Sequence, residues 1–422
     1  MTYVNRLDSK CFFYTDKQKE ILGRIFKYHR KNDGITPWDY IRENNICAYD
    51  TYSKIEKGIV KTSYDFYDGL LKLYCLEFVS NPQLEQWLPE FITRLYQACI
   101  LMDKAMIAEL EAEMNRIMTP FTEYVIYHEY SMALKLVFIY YSDDEYLDDS
   151  KIIEAMNLLD IFSDETKILL LEVIAISNTN FVMDYELEKK IETLLVANRD
   201  NPIIGFYHAL SLAKQLQGAR ALKIHRYLVD YWNKKGVKYR SCKSLMGELM
   251  IYRNLDKEQA QKTITTLLDE MKDFQTNTSF INSVHYNIGV FYYTIGEFTK
   301  AMKHFQLVLE SDIDYSTLFM LCLCSSHTNN SLPTILDECI FDDSALSCYL
   351  EYFAKKRRGV DISVLEDFLV SNILVHLKNE RYLYPIWQFF EHEVFTIAKI
   401  TRNYSKHRKY LTEMEKNGIM FR

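Results

Sequence analysis

The sequence predicts an all-α protein. Only 12 glycines and 7 prolines occur in 422 residues, which leaves little material for the tight turns that join β-strands. Apolar residues recur with helical spacing through almost the whole chain, and the breaks between the helical segments are short and polar. Because pairs of helices with brief connections are typical of an α-solenoid, we expect a helical-repeat body.

Composition and charge indicate a globular protein whose head differs from its body. Hydrophobic residues make up 48% of the chain and charged residues 26%, which excludes a disordered protein. The net charge of −8 argues against a protein that coats nucleic acid. Residues 1–80 hold 13 Lys and Arg against 11 Asp and Glu, whereas the remainder carries a net charge of −10. We therefore predict two domains, residues 1–80 and 81–422, that meet at Asn81-Pro82.

The N-terminal domain is organised around residues 36–58. Thr36 suits a helix N-cap, and Pro37 suits the first helical position, where its missing N–H costs nothing. Asn44 and Asn45 tolerate the left-handed conformation that a turn needs, and Gly58 favours the end of a helix. The predicted helices span residues 17–31, 37–44, 48–57 and 61–74.

This stretch resembles the Xre/Cro-type helix-turn-helix family. Residues 22–25 and 28–30 are similar to the first helix of that family, and residues 54–58 are similar to the end of its recognition helix. Two departures stand out, because the turn at 44–47 is one residue longer than usual and Tyr40 replaces an aliphatic core residue. The alternative is an ordinary helical hairpin.

The resemblance implies that the second short helix enters the major groove of DNA. Spacing places Tyr52 and Ile55 on the inner face of that helix. The side chains expected to face base edges are Tyr49, Asp50, Ser53 and Lys54. Those expected to contact phosphate are Thr36, Lys57 and Lys61. Asp50 would accept a hydrogen bond from a cytosine amino group or else repel phosphate, and for Lys57 and Lys61 the alternative is a solvated charge.

One repeat motif is explicit in the predicted second domain. The pattern His285, Ile288, Gly289, Tyr292, Gly296, Phe298, Ala301 and Phe305 resembles a tetratricopeptide repeat. Its small residues, Gly289 and Ala301, would let two helices approach closely. Ala221 and Ala260 stand at the matching position of two weaker repeats.

Further helices complete the predicted body. They span residues 90–116, 121–141, 148–160, 165–177, 183–197, 202–217, 219–234, 238–254, 256–273, 280–295 and 297–311. Three capping helices follow at residues 362–377, 383–398 and 400–416. The predicted fold is therefore a helix-turn-helix domain followed by a tetratricopeptide-like α-solenoid.

The combination resembles the peptide-responsive Rgg/PlcR/PrgX-type regulators. That resemblance implies a homodimer that binds operator DNA through its heads and a short signalling peptide in the concave groove of its repeats, with the peptide shifting the dimer between two geometries. The implied groove residues are Ser283, Tyr286, Asn287, Tyr293, Tyr207, Tyr252 and Arg253. Asn287 is the sharpest candidate, because its amide can both donate to and accept from a peptide backbone. For the aromatic residues, packing between repeats is the alternative.

No enzymatic motif is evident in the sequence. It lacks a glycine-rich phosphate loop, a His-Glu-x-x-His motif and a Gly-x-Ser-x-Gly motif, so we expect neither an enzyme nor a cofactor. Cys322, Cys324 and His327 would give three zinc ligands without a fourth at a matching spacing, which favours buried thiols.

The nine cysteines are scattered without paired spacing, as in reduced cytoplasmic proteins. The first residues resemble no signal peptide, and the most apolar run, residues 132–141, is too short to span a bilayer. We expect a cytoplasmic protein without a membrane partner.

Two other functions stay open at this stage. The head could have lost DNA binding, leaving a peptide-binding scaffold that sequesters a protein partner. In the other alternative, the protein is a modulator of a partner protein, similar to the peptide-inhibited phosphatases of the same superfamily. Those proteins carry a helical bundle in place of a helix-turn-helix, and residues 49–58 argue against that alternative.

Overall fold

The computed structural model is helical throughout the part of the chain that it describes. It describes residues 14–44, 47–59, 64–142, 145–180, 185–252, 256–274, 277–311, 313–342, 344–373, 376, 384–402, 404–405, 408 and 412. No strand occurs among these residues, so the predicted all-α class is confirmed for them. Within the same ranges, no helix combines the length and the apolar composition that crossing a bilayer requires.

The helices fall into two compact units, Met1–Ser241 and Cys242–Arg422. In chain order they are α1 (Asp16–Asn32), α2 (Pro37–Asn44), α3 (Tyr49–Ile55), α4 (Tyr64–Leu73), α5 (Pro82–Leu101), α6 (Lys104–Met118), α7 (Tyr127–Tyr141), α8 (Asp149–Leu158), α9 (Glu165–Asn180), α10 (Tyr185–Ala197), α11 (Pro202–Lys214), α12 (Gly218–Lys235), α13 (Lys238–Tyr252), α14 (Lys257–Glu270), α15 (Thr278–Thr294), α16 (Phe298–Leu309), α17 (Tyr315–His327), α18 (Ala345–Arg357), α19 (Ile362–Phe368) and α20 (Tyr384–Thr401). The division between the units falls within α13.

Side-chain caps define where several of these helices begin. The hydroxyl of Thr15 accepts from the backbone N–H of Gln18 at 3.2 Å, while the Gln18 side chain accepts from the N–H of Thr15 at 2.7 Å. Asn81 caps α5 and Asn201 caps α11, each followed by a proline at the first helical position. These caps satisfy backbone N–H groups that have no partner within the helix, which is why the helices begin at these residues.

The predicted helix at residues 90–116 is wrong, because two helices occupy this stretch. Met102 adopts a left-handed conformation with φ of 55° and ends α5, and the carboxylate of Asp103 accepts from the N–H of Met106 to begin α6. Helices α17 and α18 have no counterpart among the predicted helices. Asp314 and Ser344 cap them in the same way.

The C-terminal capping helices are only partly described. The predicted helix at residues 362–377 is α19 followed by a π-helical turn, Leu369–Ile373, and the helix predicted at 383–398 is α20. Most of the helix predicted at 400–416 lies outside the described residues.

In the second unit, α15 and α16 form a closely packed pair. A Cβ atom added to Gly289 would lie 2.5 Å from Cε1 of Phe305, so only glycine lets the Phe305 ring reach this position. Ala301 is fully buried. The two helices are also joined by His285 and His304, whose Nδ1 atoms lie 3.0 Å apart.

In the first unit, a buried ion pair lies between five helices. Arg240 of α13 pairs with Glu172 of α9, and both side chains are almost inaccessible to solvent. The guanidinium also donates to the carbonyl of Cys99 at 3.0 Å. The hydroxyls of Tyr141 and Tyr207 donate to Glu172 at 2.5 Å and 3.1 Å. Since every partner is hydrogen-bonded, the network offsets the cost of burying two charges and links α5, α7, α9, α11 and α13.

We expect Glu172→Leu to lower the free energy of unfolding by about 3–5 kcal/mol, because it leaves a buried guanidinium without its counter-charge. Urea unfolding followed by circular dichroism would measure the loss. The matched control is Glu258→Leu, which breaks the exposed pair with Lys262 on α14 and should cost less than about 1 kcal/mol. Equal losses in the two variants would contradict the assigned role of the network.

Candidate nucleic-acid interface

Helix α3 has seven residues and depends on its neighbours, because a helix this short is not stable alone. Tyr52 and Ile55 are fully buried, as predicted from their spacing. The helix ends earlier than predicted, at Ile55, and residues 56–58 form a turn that closes at Gly58 with φ of 68°. The predicted helix at residues 37–44 is confirmed as α2.

The backbone of α1 touches the end of α3 at one point. A Cβ atom built on Gly23 would lie 2.0 Å from the carbonyl oxygen of Ile55, so any larger residue would push the helices apart. Gly58 lies against Glu20 of the same helix, where an added Cβ would approach Cγ to 2.6 Å. These two contacts set the distance between α1 and α3.

A buried ion pair sets the orientation of α3 as well. Arg30, near the end of α1, binds Glu56 through two bonds, Nε–Oε1 at 2.5 Å and Nη2–Oε2 at 2.9 Å. Its remaining Nη1 donates to the carbonyl of Ile35 at 2.5 Å, in the connection to α2. Two parallel bonds between planar groups restrict rotation as well as distance, so α3 is held in one orientation.

Stacked aromatic rings fill the space between α2, α3 and the end of α4. The ring of Tyr40 stacks on Tyr74 with 5.2 Å between centroids, and Phe26 stacks on Tyr74 at 5.8 Å. The hydroxyls of Tyr52 and Tyr74 lie 3.4 Å apart. Burial raises the pKa of Tyr40, Tyr52 and Tyr74, which keeps these hydroxyls neutral. Tyr40 therefore fills a core position through stacking where an aliphatic residue was expected.

The outer face of α3 carries most of the predicted base-reading residues. Tyr49 is 42% exposed, Asp50 and Lys54 are exposed, and Ser53 is half-buried. Lys57 is exposed in the turn that follows. Among the described residues, no carboxylate lies within ion-pair distance of Lys54 or Lys57. Helix α3 and the turn after it therefore present two cations without an ion pair, together with the exposed ring of Tyr49.

Of the other two residues predicted to contact phosphate, Thr36 caps α2 and Lys61 is not described. The hydroxyl of Thr36 donates to the carboxylate of Asp39 at 2.6 Å and accepts from the Asp39 N–H at 3.2 Å, so it acts as the cap of α2. Lys61 lies outside the described residues, as do residues 45 and 46 of the turn predicted to be one residue longer than usual.

Trp38 belongs to this surface, although sequence reasoning did not select it. Its side chain is 61% exposed at the start of α2, and its ring centroid lies 6.0 Å from that of Tyr49. An exposed tryptophan beside an exposed tyrosine gives an aromatic patch that can contact bases or sugars. The exposure of Trp38 identifies it as part of this surface, and helical spacing alone does not reveal that exposure.

Three basic residues of α1, Arg24, Lys27 and Lys31, contact the segment that follows α8. Lys27 and Lys31 lie 2.7 Å and 3.3 Å from the carboxylate of Asp160, which follows α8. Arg24 pairs with Glu20 at 2.5 Å and donates to the carbonyl of Ile161 at 3.4 Å. Burial opposes ionisation of Asp160, but the two lysines outweigh it and lower its pKa. These cations are therefore engaged away from the outer face of α3.

The predicted peptide-binding residues are not all accessible. Ser283, Tyr286 and Asn287 are half-buried on α15, and the Asn287 amide donates to the carbonyl of Ser283 at 2.8 Å. Burial raises the pKa of Tyr286 to about 12, and its ring lies 6.0 Å from that of Phe305. Tyr286 therefore packs against the neighbouring helix.

The remaining peptide candidates are buried or lie outside the described residues. Tyr252 and Tyr293 are 2% and 9% exposed, and the hydroxyl of Tyr293 lies 3.5 Å from Nε2 of His327. Tyr207 belongs to the buried network of Glu172, so a place on a ligand-binding wall does not fit its position. Arg253 lies outside the described residues. For the aromatic candidates, these positions favour the alternative of packing between helices.

Comparison with known proteins identifies no relative of this chain. No family model, no curated protein and no solved structure matches this chain. The function of the α3 surface is therefore inferred from its own geometry.

We expect Gly23→Ala to lower the free energy of unfolding by about 1–3 kcal/mol, because the new methyl group overlaps the carbonyl of Ile55. Chemical unfolding of the full chain would measure it. Gly69→Ala in α4 is the matched control, since a Cβ there meets open space and removal of a helical glycine should stabilise by about 0.5–1 kcal/mol. If both substitutions stabilised the protein, the close approach of α1 and α3 would be wrong.

Proposed function

We propose that this chain is a cytoplasmic, homodimeric transcriptional regulator whose N-terminal helices bind duplex DNA. In this proposal α2 and α3 form a helix-turn-helix, α3 enters the major groove, and Tyr49, Asp50, Ser53 and Lys54 face the bases. The observation that carries the proposal is the presentation of α3. Its inner face is locked by buried contacts, while its outer face exposes aromatic, acidic and basic groups suited to base edges.

The small number of exposed cations near α3 supports a dimer in this proposal. One head exposes Lys57 as a candidate phosphate contact, beside Lys54 on the base-facing side of α3, and so few charged contacts give weak binding at physiological salt. Two heads would double these contacts and would read two half-sites separated by one helical turn of DNA. The eight described cysteines are free thiols, which supports a reducing compartment.

The proposed effector is a short peptide bound by the helical hairpins of the second unit, which we propose to be tetratricopeptide-like repeats. Ser283 and Asn287 are the groove candidates with partial exposure that this proposal retains. The close pair α15–α16, with Phe305 seated on Gly289, supports a repeat of the tetratricopeptide type. Peptide binding would shift the population of dimer geometries and so change the spacing of the two α3 helices.

A second candidate is a peptide-binding scaffold without DNA binding, including a modulator of a partner enzyme. Asp39, Glu43 and Asp50 are exposed on α2 and α3, where they would repel phosphate groups. This acidic component favours a protein partner over DNA.

We expect the full chain to select specific sequences from a random duplex pool and to bind the selected duplex in a salt-dependent manner. Fluorescence anisotropy at several salt concentrations would measure the affinity. Lys54→Ala/Lys57→Ala should weaken binding at least tenfold and reduce the salt slope by about one, since Lys57 is the proposed phosphate contact and each such contact contributes about 0.9 to the slope. Tyr49→Ala should lower the preference for the selected sequence.

The control for lost charge is Lys189→Ala/Lys190→Ala on α10, which removes two exposed cations elsewhere and should bind the selected duplex normally. Equal weakening in both double variants would point to non-specific attraction. Failure of the full chain to select any sequence would favour the scaffold.

A further inference from the structure

A large cleft in the first unit lies between α11 and α12, far along the chain from the candidate DNA-binding helices. Its volume is about 850 Å³, which falls in the range of small-molecule binding sites. The turn that precedes α11 forms one edge of it. A Cβ atom added to Gly205 would lie 2.9 Å from the carbonyl oxygen of Arg199, so glycine allows this turn to lie close against α11.

Three cations surround the opening of the cleft. Arg199 comes from the turn, whereas Arg220 and Lys223 lie three residues apart on α12, and all three are exposed. None of them is ion-paired with a carboxylate in the part of the chain that the structure describes. Asp200 is the acidic residue of the lining. The cleft therefore has a positive opening, which attracts an anion.

A buried histidine faces the same space. His208 is only 8% exposed, yet it lines the cleft, and it has no hydrogen-bond partner among the described residues. Burial lowers its pKa, and the charges of Arg199 and Arg220 lower it further. The ring is therefore neutral near pH 7, where one nitrogen can donate to a ligand and the other can accept from it. The ring nitrogens are open to the cleft, where a bound ligand can hydrogen-bond to them.

The lining between these polar groups is apolar. Leu212 of α11 and Ile224 and Leu228 of α12 contribute aliphatic side chains. The ring of Tyr227 stands at the edge with 60% of its surface exposed. Leu212 and Leu228 are already buried and form the floor of the cleft. An apolar ligand group would cover the exposed surface of Ile224 and Tyr227, which a bare inorganic anion would leave in water.

We propose that this cleft binds a small organic anion, a carboxylate or a phosphate monoester carried on an apolar or aromatic body. The anionic group lies between Arg199, Arg220 and Lys223, and the apolar body covers Ile224 and Tyr227. His208 hydrogen-bonds a polar atom of the ligand. This inference is independent of DNA binding by the head, because neither the cleft nor its test involves α3.

Isothermal titration calorimetry of the full chain at low ionic strength tests the proposal with four probes. They are phenyl phosphate, benzoate, inorganic phosphate and benzyl alcohol. We expect at least one of the first two to bind at least tenfold more tightly than both of the last two, since inorganic phosphate lacks the apolar group and benzyl alcohol lacks the charge. Which of the two aromatic anions binds more tightly then distinguishes carboxylate from phosphate chemistry.

Two variants place the binding in the cleft. Arg220→Gln/Lys223→Gln should weaken binding of the preferred probe at least tenfold. Lys234→Gln/Lys235→Gln removes the same charge from exposed positions at the end of α12 and should leave binding unchanged. Circular dichroism would establish that both variants remain folded.

Three results would overturn the proposal. The first is no binding of either aromatic anion. The second is equal binding of inorganic phosphate and phenyl phosphate. The third is equal weakening in the two double variants.

Discussion

The ion pair between Arg30 and Glu56 is the interaction on which the candidate interface depends. It is buried, bidentate and supported by a third bond to the carbonyl of Ile35, so it joins α1, the turn after α3 and the connection to α2. Buried ion pairs add little net stability because both charges lose their hydration, but their geometry is exacting. Here that geometry orients a seven-residue helix that could not be stable alone.

Because buried contacts fix the inner face of α3, they also determine which side chains its outer face exposes. The contact of Gly23 with Ile55 leaves no room for α3 to approach α1 further, so Tyr49 and Lys54 remain at the surface. Lys27 and Lys31 of α1 are engaged with Asp160. The electrostatic contribution of one head is therefore small, and specificity would come mainly from a few groups on α3 and from Trp38.

Much of the fold follows from local sequence, whereas its exceptions depend on tertiary contacts. Caps such as Asn81 and Asn201 mark helix starts because a side chain satisfies nearby N–H groups. The end of α5 at Met102 cannot be predicted from the sequence, since a non-glycine residue rarely adopts positive φ.

The same limit on prediction from local sequence applies to the candidate site residues. Exposure of Tyr49 and burial of Tyr52 follow from helical spacing. The bond of Tyr207 to Glu172, by contrast, joins residues 35 positions apart, which periodicity cannot detect. The partners of Arg30 and the exposure of Trp38 likewise depend on how separate helices pack.

Photo-crosslinking from α3 would test the central claim most directly. The full chain would carry p-benzoylphenylalanine in place of Tyr49, or in place of Lys190 as the control, and would be irradiated on the duplex that it selects. If α3 reads the DNA, we expect crosslinks to bases of the selected site from position 49 and none from position 190. Bound DNA that crosslinks from neither position, or equally from both, would contradict the assignment of α3 as the DNA-reading helix.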